Sequence, residues 1–202
     1  MIRVKVYEAP APNRREILRY AGVKDADAQM EALLQSCLDE ALSLFTYRVC
    51  YGEFSISVCG DTVDFGFHRV QSYDLAKCLQ GADRAVIFAA TVGALADRRI
   101  ARYEVTSPAK AVMLDALGAE RIESLCETFC KELSLKSRAK GACVTPRFSP
   151  GYGDLPLTFQ KEIFRVLDCP RQIGLSLNES LLMSPSKSVT AIMGIRRKYE
   201  NH

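Results

Sequence analysis

The sequence predicts an α+β fold with one domain, in which helices flank a twisted antiparallel sheet. Segments with apolar residues at steps of three and four are mixed with segments of period two, without the regular βαβ rhythm of a parallel sheet. No linker or internal repeat interrupts the 202 residues. The composition, 48% hydrophobic and 25% charged, is that of a globular chain and excludes disordered, collagen-like and coiled-coil classes.

The first part of the chain predicts one strand and two helices. Apolar and polar residues alternate in residues 2–7, which is typical of a strand. Asn13 is a candidate N-cap of a short helix that ends at Gly22. Helical spacing predicts a longer helix over residues 27–45. Its apolar stripe consists of Met30, Leu34, Cys37, Ala41 and Phe45.

An antiparallel meander is predicted next, because three alternating segments begin at Tyr47, at Phe54 and, after a turn at Gly60-Asp61, at Val63. The last of these segments continues to Phe67.

The centre of the chain predicts a helix, a buried strand and a second helix. Ser72 is expected to cap a short helix that stops at Gly81. Residues 84–93 are then interpreted as a buried strand, followed by a helix over residues 95–103.

Ser107-Pro108 opens the clearest helix, with Ser107 as its N-cap. Gly118 interrupts the apolar stripe of this helix and costs about 1 kcal/mol in helix propensity relative to Ala, so we expect it to pack closely against a neighbouring element. The basic residues 136–141 are expected to form a solvated connection. The predicted core face is Ala111, Leu114, Gly118, Ile122, Leu125, Phe129 and Leu133.

The last sixty or so residues predict a strand through Val144, a Pro- and Gly-containing segment at 147–156, a helix capped by Thr158, and a Ser-rich apolar hairpin.

Charge and hydropathy exclude several partners. Lys and Arg exceed Asp and Glu by 27 to 24, and a net charge of +3 from scattered residues does not predict a nucleic-acid surface. The N-terminus lacks the apolar core of a signal peptide, and the longest apolar stretch, residues 85–96, is shorter than the roughly 20 residues that span a bilayer. We therefore expect a cytoplasmic protein that binds neither nucleic acid nor membrane.

The eight cysteines are expected to be reduced thiols, because no export signal accompanies them. Cys126 and Cys130 lie four residues apart on a predicted helix, a spacing that suits a shared metal, but His68 and His202 are the only histidines. Buried thiols that act as small hydrophobic residues are the favoured alternative, and no metal site is expected. His68 is interpreted as structural.

Common catalytic motifs are absent or incomplete. There is no P-loop string, and Gly151-Tyr152-Gly153 is followed by Pro156 where a Rossmann fingerprint needs its third glycine. Two S-x-x-K strings, at residues 107–110 and 184–187, lack the S-D-N and K-T-G motifs that accompany serine acyl transfer. Dinucleotide binding and serine catalysis are therefore not predicted.

Residues 147–152, with the sequence RFSPGY, combine groups that suit a small ligand. Arg147 offers a planar bidentate fork for a carboxylate. Pro150-Gly151 predicts a turn whose glycine permits close backbone approach, and Tyr152 offers an aromatic face to an adenine or a sulfonium cation. An ordinary surface turn with a salt-bridged arginine is the alternative, and the residues alone leave it open.

RFSPGY resembles the R-x-x-P-G-Y motif of the activation domain of cobalamin-dependent methionine synthase, which binds S-adenosylmethionine. The segments TFQKEIFRVLD, QIGLSL and NESLLMSPSKSVTAI are similar, in order, to the helix, strand and hairpin that follow the motif in that family. MLDALGAERIESLCETF is similar to the long helix that precedes it. The resemblance implies one activation-domain-like domain over residues 1–202, in a free-standing form. Residues 1–106 are its weakly matched half, and residues 107–202 are the family-like half with the ligand motif.

The resemblance also implies the ligand residues. In the family, the arginine of the motif holds the methionine carboxylate, backbone groups near its third and fourth positions meet the ligand, and the tyrosine lies beside it. Glu179, in the N-E-S segment, is a further candidate for a polar contact. The candidate residues for binding S-adenosylmethionine are Arg147, Ser149, Pro150, Gly151, Tyr152 and Glu179.

The function implied by the resemblance is repair of an oxidised cobalamin. An electron donor such as flavodoxin re-reduces cob(II)alamin while the module presents the methyl group of S-adenosylmethionine, so the protein positions the ligand and needs no catalytic acid or base. The chain has no D-x-H-x-x-G corrin-binding string. The resemblance therefore implies that cobalamin is supplied by a partner, a methionine synthase that lacks its own activation domain, and that this chain is an accessory component.

Two other functions stay open. The first alternative is a module that docks on a corrinoid protein without using S-adenosylmethionine, which the unmatched first hundred residues allow. The second is a reactivation factor for another corrinoid methyltransferase.

Overall fold

The computed structural model describes residues 1–197 and shows an α+β domain, which confirms the predicted class. The strands are β1 (Ile2–Tyr7), β2 (Tyr47–Ser55), β3 (Ser57–Cys59), β4 (Thr62–Asp64), β5 (Arg69–Gln71), β6 (Arg84–Thr91), β7 (Ala142–Val144), β8 (Ser176–Leu177), β9 (Met183–Ser184) and β10 (Ser188–Arg197). The helices are α1 (Arg14–Tyr20), α2 (Ala28–Leu44), α3 (Tyr73–Leu79), α4 (Leu95–Thr106), α5 (Pro108–Arg138), α6 (Gln160–Leu167) and α7 (Cys169–Ile173), with a 3-10 turn at Leu157–Phe159.

The main sheet has five antiparallel strands in the order β1-β2-β6-β10-β7. Side chains alternate across β6, so that Phe88 joins one buried cluster and Ile87 joins the other. The cluster around Phe88 packs under α1, α2, α4 and α5, and the cluster around Ile87 packs under α3, α6 and α7. A strand that is buried on both faces explains why β6 has a continuous apolar sequence.

Two predicted helix caps are confirmed. Asn13 Oδ1 accepts a hydrogen bond from the N–H of Glu16 at 3.3 Å, at the start of α1. Ser72 Oγ accepts one from the N–H of Leu75 at 3.1 Å, at the start of α3. Each side chain satisfies a backbone donor that has no partner inside its helix.

One expectation about α5 is confirmed in position only, and another is wrong. Ser107 is the N-cap residue of α5, as predicted, but its side chain makes no capping hydrogen bond. It also ends α4, since its N–H donates to the C=O of Tyr103 at 2.8 Å. The basic residues 136–141 are not all a connection, since α5 continues to Arg138. Lys136 Nζ lies 2.5 Å from a carboxylate oxygen of Glu132 one turn earlier, and this ion pair favours the helical conformation.

The meander and the last helix cap also differ from the prediction. The segment from Tyr47 pairs with β1 and β6 in the main sheet, whereas β3, β4 and β5 form a separate three-stranded sheet. Phe67 lies outside its strands, in the bend before β5. Thr158 lies inside the 3-10 turn and makes no cap bond, so α6 begins two residues later. Periodicity identified the segments but not their partners.

Gly118 packs closely against a neighbour, as predicted. A Cβ at this position would lie 3.0 Å from Cγ of Lys187, which crosses α5 to reach Asp115 at 2.7 Å. The eight cysteines are all unpaired, and Cys37, Cys50, Cys126 and Cys169 are buried.

Residues 1–197 contain no group of three or more His, Cys, Asp or Glu side chains placed to hold a metal ion. None of the helices described is long and apolar enough to cross a bilayer.

Candidate functional site

The RFSPGY segment lies along the outer edge of β10. Phe148 and Ile192 exchange two backbone hydrogen bonds, of 2.9 and 2.8 Å, and form an isolated antiparallel bridge. Three residues before Phe148, the N–H of Thr145 donates a hydrogen bond to the C=O of Gly194 at 2.9 Å. The edge of β10 therefore anchors the segment at the end that contains Arg147.

A β-turn follows the bridge. The N–H of Tyr152 donates to the C=O of Ser149 at 3.2 Å, with Pro150 and Gly151 in the two central positions. Gly151 has a φ of +89°, which the second central position of a type II turn requires. The predicted proline-glycine bend is thus present, and its geometry explains why glycine is suited to this position.

Asp154, two residues after the segment, attaches the turn to α3. Asp154 accepts hydrogen bonds from the N–H groups of Tyr73 at 2.7 Å and Asp74 at 3.2 Å, and from the hydroxyl of Ser72. The turn is therefore held at both ends, by the sheet on one side and by α3 on the other.

The turn borders an open cleft with a volume of about 410 Å³. Its walls come from α5, from residues 147–152, from the start of α6 and from the region of β9 and β10. The lining residues are Glu123, Arg147, Phe148, Ser149, Pro150, Tyr152, Gln160, Met183, Ser188, Val189 and Thr190. A cleft of this size is in the range that binds small organic ligands.

Arg147 lines this cleft and is paired with Glu123 of α5. Partial burial is the largest single influence and favours the neutral form of the guanidinium. The hydrogen bond to Glu123, the charge of Glu123 and the neighbouring thiols Cys126 and Cys130 together outweigh it, so the pKa of Arg147 is raised. The arginine side chain keeps 34% of its surface exposed. A charged fork that is partly open to the cleft can bind a ligand carboxylate while Glu123 stays beside it.

Two further polar groups of the cleft have no counterpart in the sequence prediction. Gln160, the first residue of α6, is only 5% exposed, and its Nε2 lies 3.5 Å from Oγ1 of Thr190. Ser188 Oγ donates toward Pro185 O at 2.8 Å and lies 2.9 Å from Thr91 Oγ1. The available sequence signal was the polar pair Ser188 and Thr190, which precedes the apolar residues 191–195 of β10.

The candidate residues named from the sequence do not all meet in one place. Arg147, Ser149, Pro150 and Tyr152 line the cleft, and Gly151 supports it from within the turn. Glu179 is exposed in the turn between β8 and β9 and is not among the residues that line the cleft.

The two histidines stand apart from this arrangement. His68 lies 3.8 Å from Glu162 and beside the ring of Phe159, also away from the cleft. His202 lies outside the described residues.

Three features of the cleft suit a small ligand that has a carboxylate and a cationic or aromatic group. The guanidinium of Arg147 provides a cation for a carboxylate. Tyr152 is 69% exposed, so its ring is accessible to a sulfonium or a base. Gln160 Oε1 is buried and has no hydrogen-bond partner within residues 1–197, so the cleft contains a polar atom that a ligand can satisfy.

Comparison with known proteins identifies the family of this chain. Residues 73–200 match the family model described as the vitamin B12 dependent methionine synthase, activation domain. The match begins at α3 and includes β6, α5 and the whole cleft. A search of curated proteins found no match.

Among solved structures, the chain is similar to the crystal structure of the MetH reactivation domain bound to AdoHcy. The TM-score is 0.68 at 17% sequence identity, and the alignment covers 100% of this chain and 80% of that one. At this identity the similarity establishes a shared fold. Since the family model spans more than half of the residues, the chain belongs to the family of activation domains of vitamin B12-dependent methionine synthases.

Proposed function

We propose that this protein binds S-adenosylmethionine in the cleft beside residues 147–152 and supports the reductive methylation of cob(II)alamin on a separate cobalamin-dependent methionine synthase. The observation that carries the proposal is the position of the family motif: its arginine, turn and tyrosine all border one cleft.

Each residue of the motif has a role in holding the ligand. Arg147 would bind the carboxylate of the methionine portion through charge-assisted hydrogen bonds. The turn at Pro150-Gly151 brings backbone atoms close to the ligand, and Tyr152 would lie against its cationic or aromatic part. Bound S-adenosylmethionine supplies an electrophilic methyl group, so the protein contributes position and orientation rather than proton transfer.

The cobalamin and the electron would come from other proteins. The sequence has no D-x-H-x-x-G string, and we place the corrin on a methionine synthase that lacks its own activation domain. Flavodoxin, or another one-electron donor, is the proposed reductant.

Calorimetric titration tests the ligand site. We expect wild-type protein to bind S-adenosylmethionine and Arg147→Ala to lose about 2 kcal/mol of binding free energy, the value of a charge-assisted hydrogen-bonded pair. Arg98→Ala is the matched control, since Arg98 is an exposed arginine on α4 that does not line the cleft. Equal affinities of the Arg147 and Arg98 variants would place the ligand elsewhere, and an absence of binding to wild type at millimolar ligand would remove the methyl-donor role.

Reconstitution tests the partner. A methionine synthase without its activation domain is oxidised to the cob(II)alamin state and then mixed with this protein, S-adenosylmethionine and a reductant. We expect methionine synthesis to resume only in the complete mixture. Recovery without S-adenosylmethionine would favour a docking module, and recovery of another corrinoid methyltransferase instead would redirect the proposal to that enzyme.

A further inference from the structure

Thr190 presents an unpaired backbone edge to the cleft. Residues of an antiparallel ladder direct their N–H and C=O groups alternately to one neighbour and then to the other. Ile192 exchanges both hydrogen bonds with Phe148 on the side away from β6, so Thr190, two residues along β10, directs its own groups to that same side. No backbone partner for them is found in the part of the chain that the structure describes.

The reason for this gap is the proline of the motif. The register of the Phe148–Ile192 bridge, continued by two residues, brings Pro150 opposite Thr190. Proline has no N–H to donate, and the chain turns away at Pro150-Gly151. The bridge therefore ends after one residue pair, and the N–H and C=O of Thr190 are left without a strand.

Gln160 adds a third unsatisfied atom at the same wall. Its side chain is 5% exposed, its Nε2 lies 3.5 Å from Thr190 Oγ1, and its Oε1 has no hydrogen-bond partner among residues 1–197. Buried polar groups of folded proteins are nearly always paired, because leaving one unpaired costs its solvation. Three such atoms on one wall of an open cleft therefore indicate a ligand with matching donors and acceptors.

We infer that Gln160 and the backbone edge of Thr190 form the subsite for the nucleobase of the ligand, in which the Gln160 amide oxygen accepts a hydrogen bond from the exocyclic amine of adenine. Adenine carries an amine donor beside ring-nitrogen acceptors, and a glutamine amide is a side chain that matches such an edge. A strand edge likewise offers an acceptor and a donor on one residue. An ammonium group would instead favour Glu123, the carboxylate of the cleft.

The spacing along β10 agrees with a ligand that extends from Arg147 to this subsite. Arg147 precedes Phe148, and the bridge places it opposite Met193 by register. Three residues of strand separate Met193 from Thr190, which is about 10 Å. An amino acid joined to a nucleoside through sulfur can extend over such a distance. This inference rests on the proposed function, since it assumes a ligand of that class.

Two ligands that differ at one edge of the base test the subsite. S-adenosylhomocysteine has an exocyclic amine at C6 of the base, whereas S-inosylhomocysteine has a carbonyl oxygen there and a proton on the adjacent ring nitrogen. Only the first can donate to Gln160 Oε1 from an amine at C6. By calorimetry, we expect wild-type protein to bind the adenosyl compound about tenfold more tightly, the effect of one hydrogen bond and one unpaired acceptor. Gln160→Met, which keeps the length of the side chain, should bind both compounds equally.

Arg147→Ala is the control variant. It should weaken both compounds by the same factor and keep the preference for adenine, because its contact lies at the carboxylate end. Thermal unfolding of each variant checks that it is folded, and the comparison of the two ligands on wild type does not depend on any variant.

The outcomes separate this inference from the proposed function. Equal binding of both compounds by wild type, or an unchanged preference in Gln160→Met, would overturn the nucleobase subsite and leave the ligand cleft in place. Binding of neither compound, nor of S-adenosylmethionine, by wild type would overturn the proposed function and the subsite with it.

Discussion

The carboxylate of Asp154 accepts a hydrogen bond from the hydroxyl of Ser72, and this contact joins the turn at Pro150-Gly151 to α3. The Ser72 hydrogen bond, together with those from the backbone of Tyr73 and Asp74, lowers the pKa of Asp154. Ser72 also caps α3 through Leu75. The two side chains thus connect the cleft to the core cluster beneath α3, and they position the turn without lining the cleft themselves.

Replacing this carboxylate should loosen the turn. We expect Asp154→Ala to weaken binding of S-adenosylmethionine by about tenfold, because the turn would have to be ordered by the ligand instead of by α3. Amide hydrogen exchange should become faster at Gly151 and Leu155. Asp25→Ala, at an exposed position between α1 and α2, is the control and should change neither quantity. Unchanged exchange in Asp154→Ala would show that the sheet edge alone holds the turn.

Gly153 should tolerate a side chain less well than Gly60. Both have positive φ, +53° and +61°, but a Cβ at Gly153 would lie 2.3 Å from Asp74 Oδ2 and 3.2 Å from Asp74 Cβ, whereas nothing lies within 4 Å at Gly60. We expect Gly60→Ala to cost about 1–2 kcal/mol from the left-handed conformation alone. Gly153→Ala should lower the free energy of unfolding, measured in urea, by more than this and should also weaken ligand binding. Equal losses of unfolding free energy in the two variants would mean that Asp74 moves aside freely.

Acid should destabilise the protein partly through Glu132. Hydrogen bonds from Lys136 and Lys5 lower the pKa of Glu132 from 4.5 to about 2. Because the folded pKa is below the unfolded one, the contribution to stability is complete above about pH 4.5 and is lost as the pH falls toward 2. Glu132→Gln should therefore reduce the fall in unfolding free energy between pH 5 and pH 3. Glu127→Gln, more exposed on the same helix, should keep the wild-type slope.

The proline-glycine turn of residues 147–152 could be predicted from the sequence because its chemistry is local. A guanidinium followed by a proline-glycine turn is a feature of six consecutive residues, and the structure has that turn at Ser149 to Tyr152. Gln160 was not identified, because a glutamine at the start of an amphipathic helix has no local sign of burial. Its environment is created only when α6 packs against β10.

The predicted meander likewise shows which features are local in the sequence and which depend on the tertiary structure. Alternation identified the segment from Tyr47 as a strand, and the turn at Gly60-Asp61 was correct. The partners of that strand are β1 and β6, which are distant in sequence, rather than the segments that follow it. Period and turn chemistry are properties of neighbouring residues, whereas pairing is decided by which apolar faces can be buried together.

By itself, the sequence determined the α+β class, the long helix, the proline-glycine turn of residues 147–152 and the resemblance to methionine synthase activation domains, since each depends on residue types at short spacing. Only the tertiary structure decided that Arg147 shares a cleft with Gln160 and Thr190, that Glu179 lies outside it, and that Asp154 fastens the turn. These relations join residues that are far apart in the chain. They arise because burying both faces of one sheet brings helix, strand edge and turn to a single place.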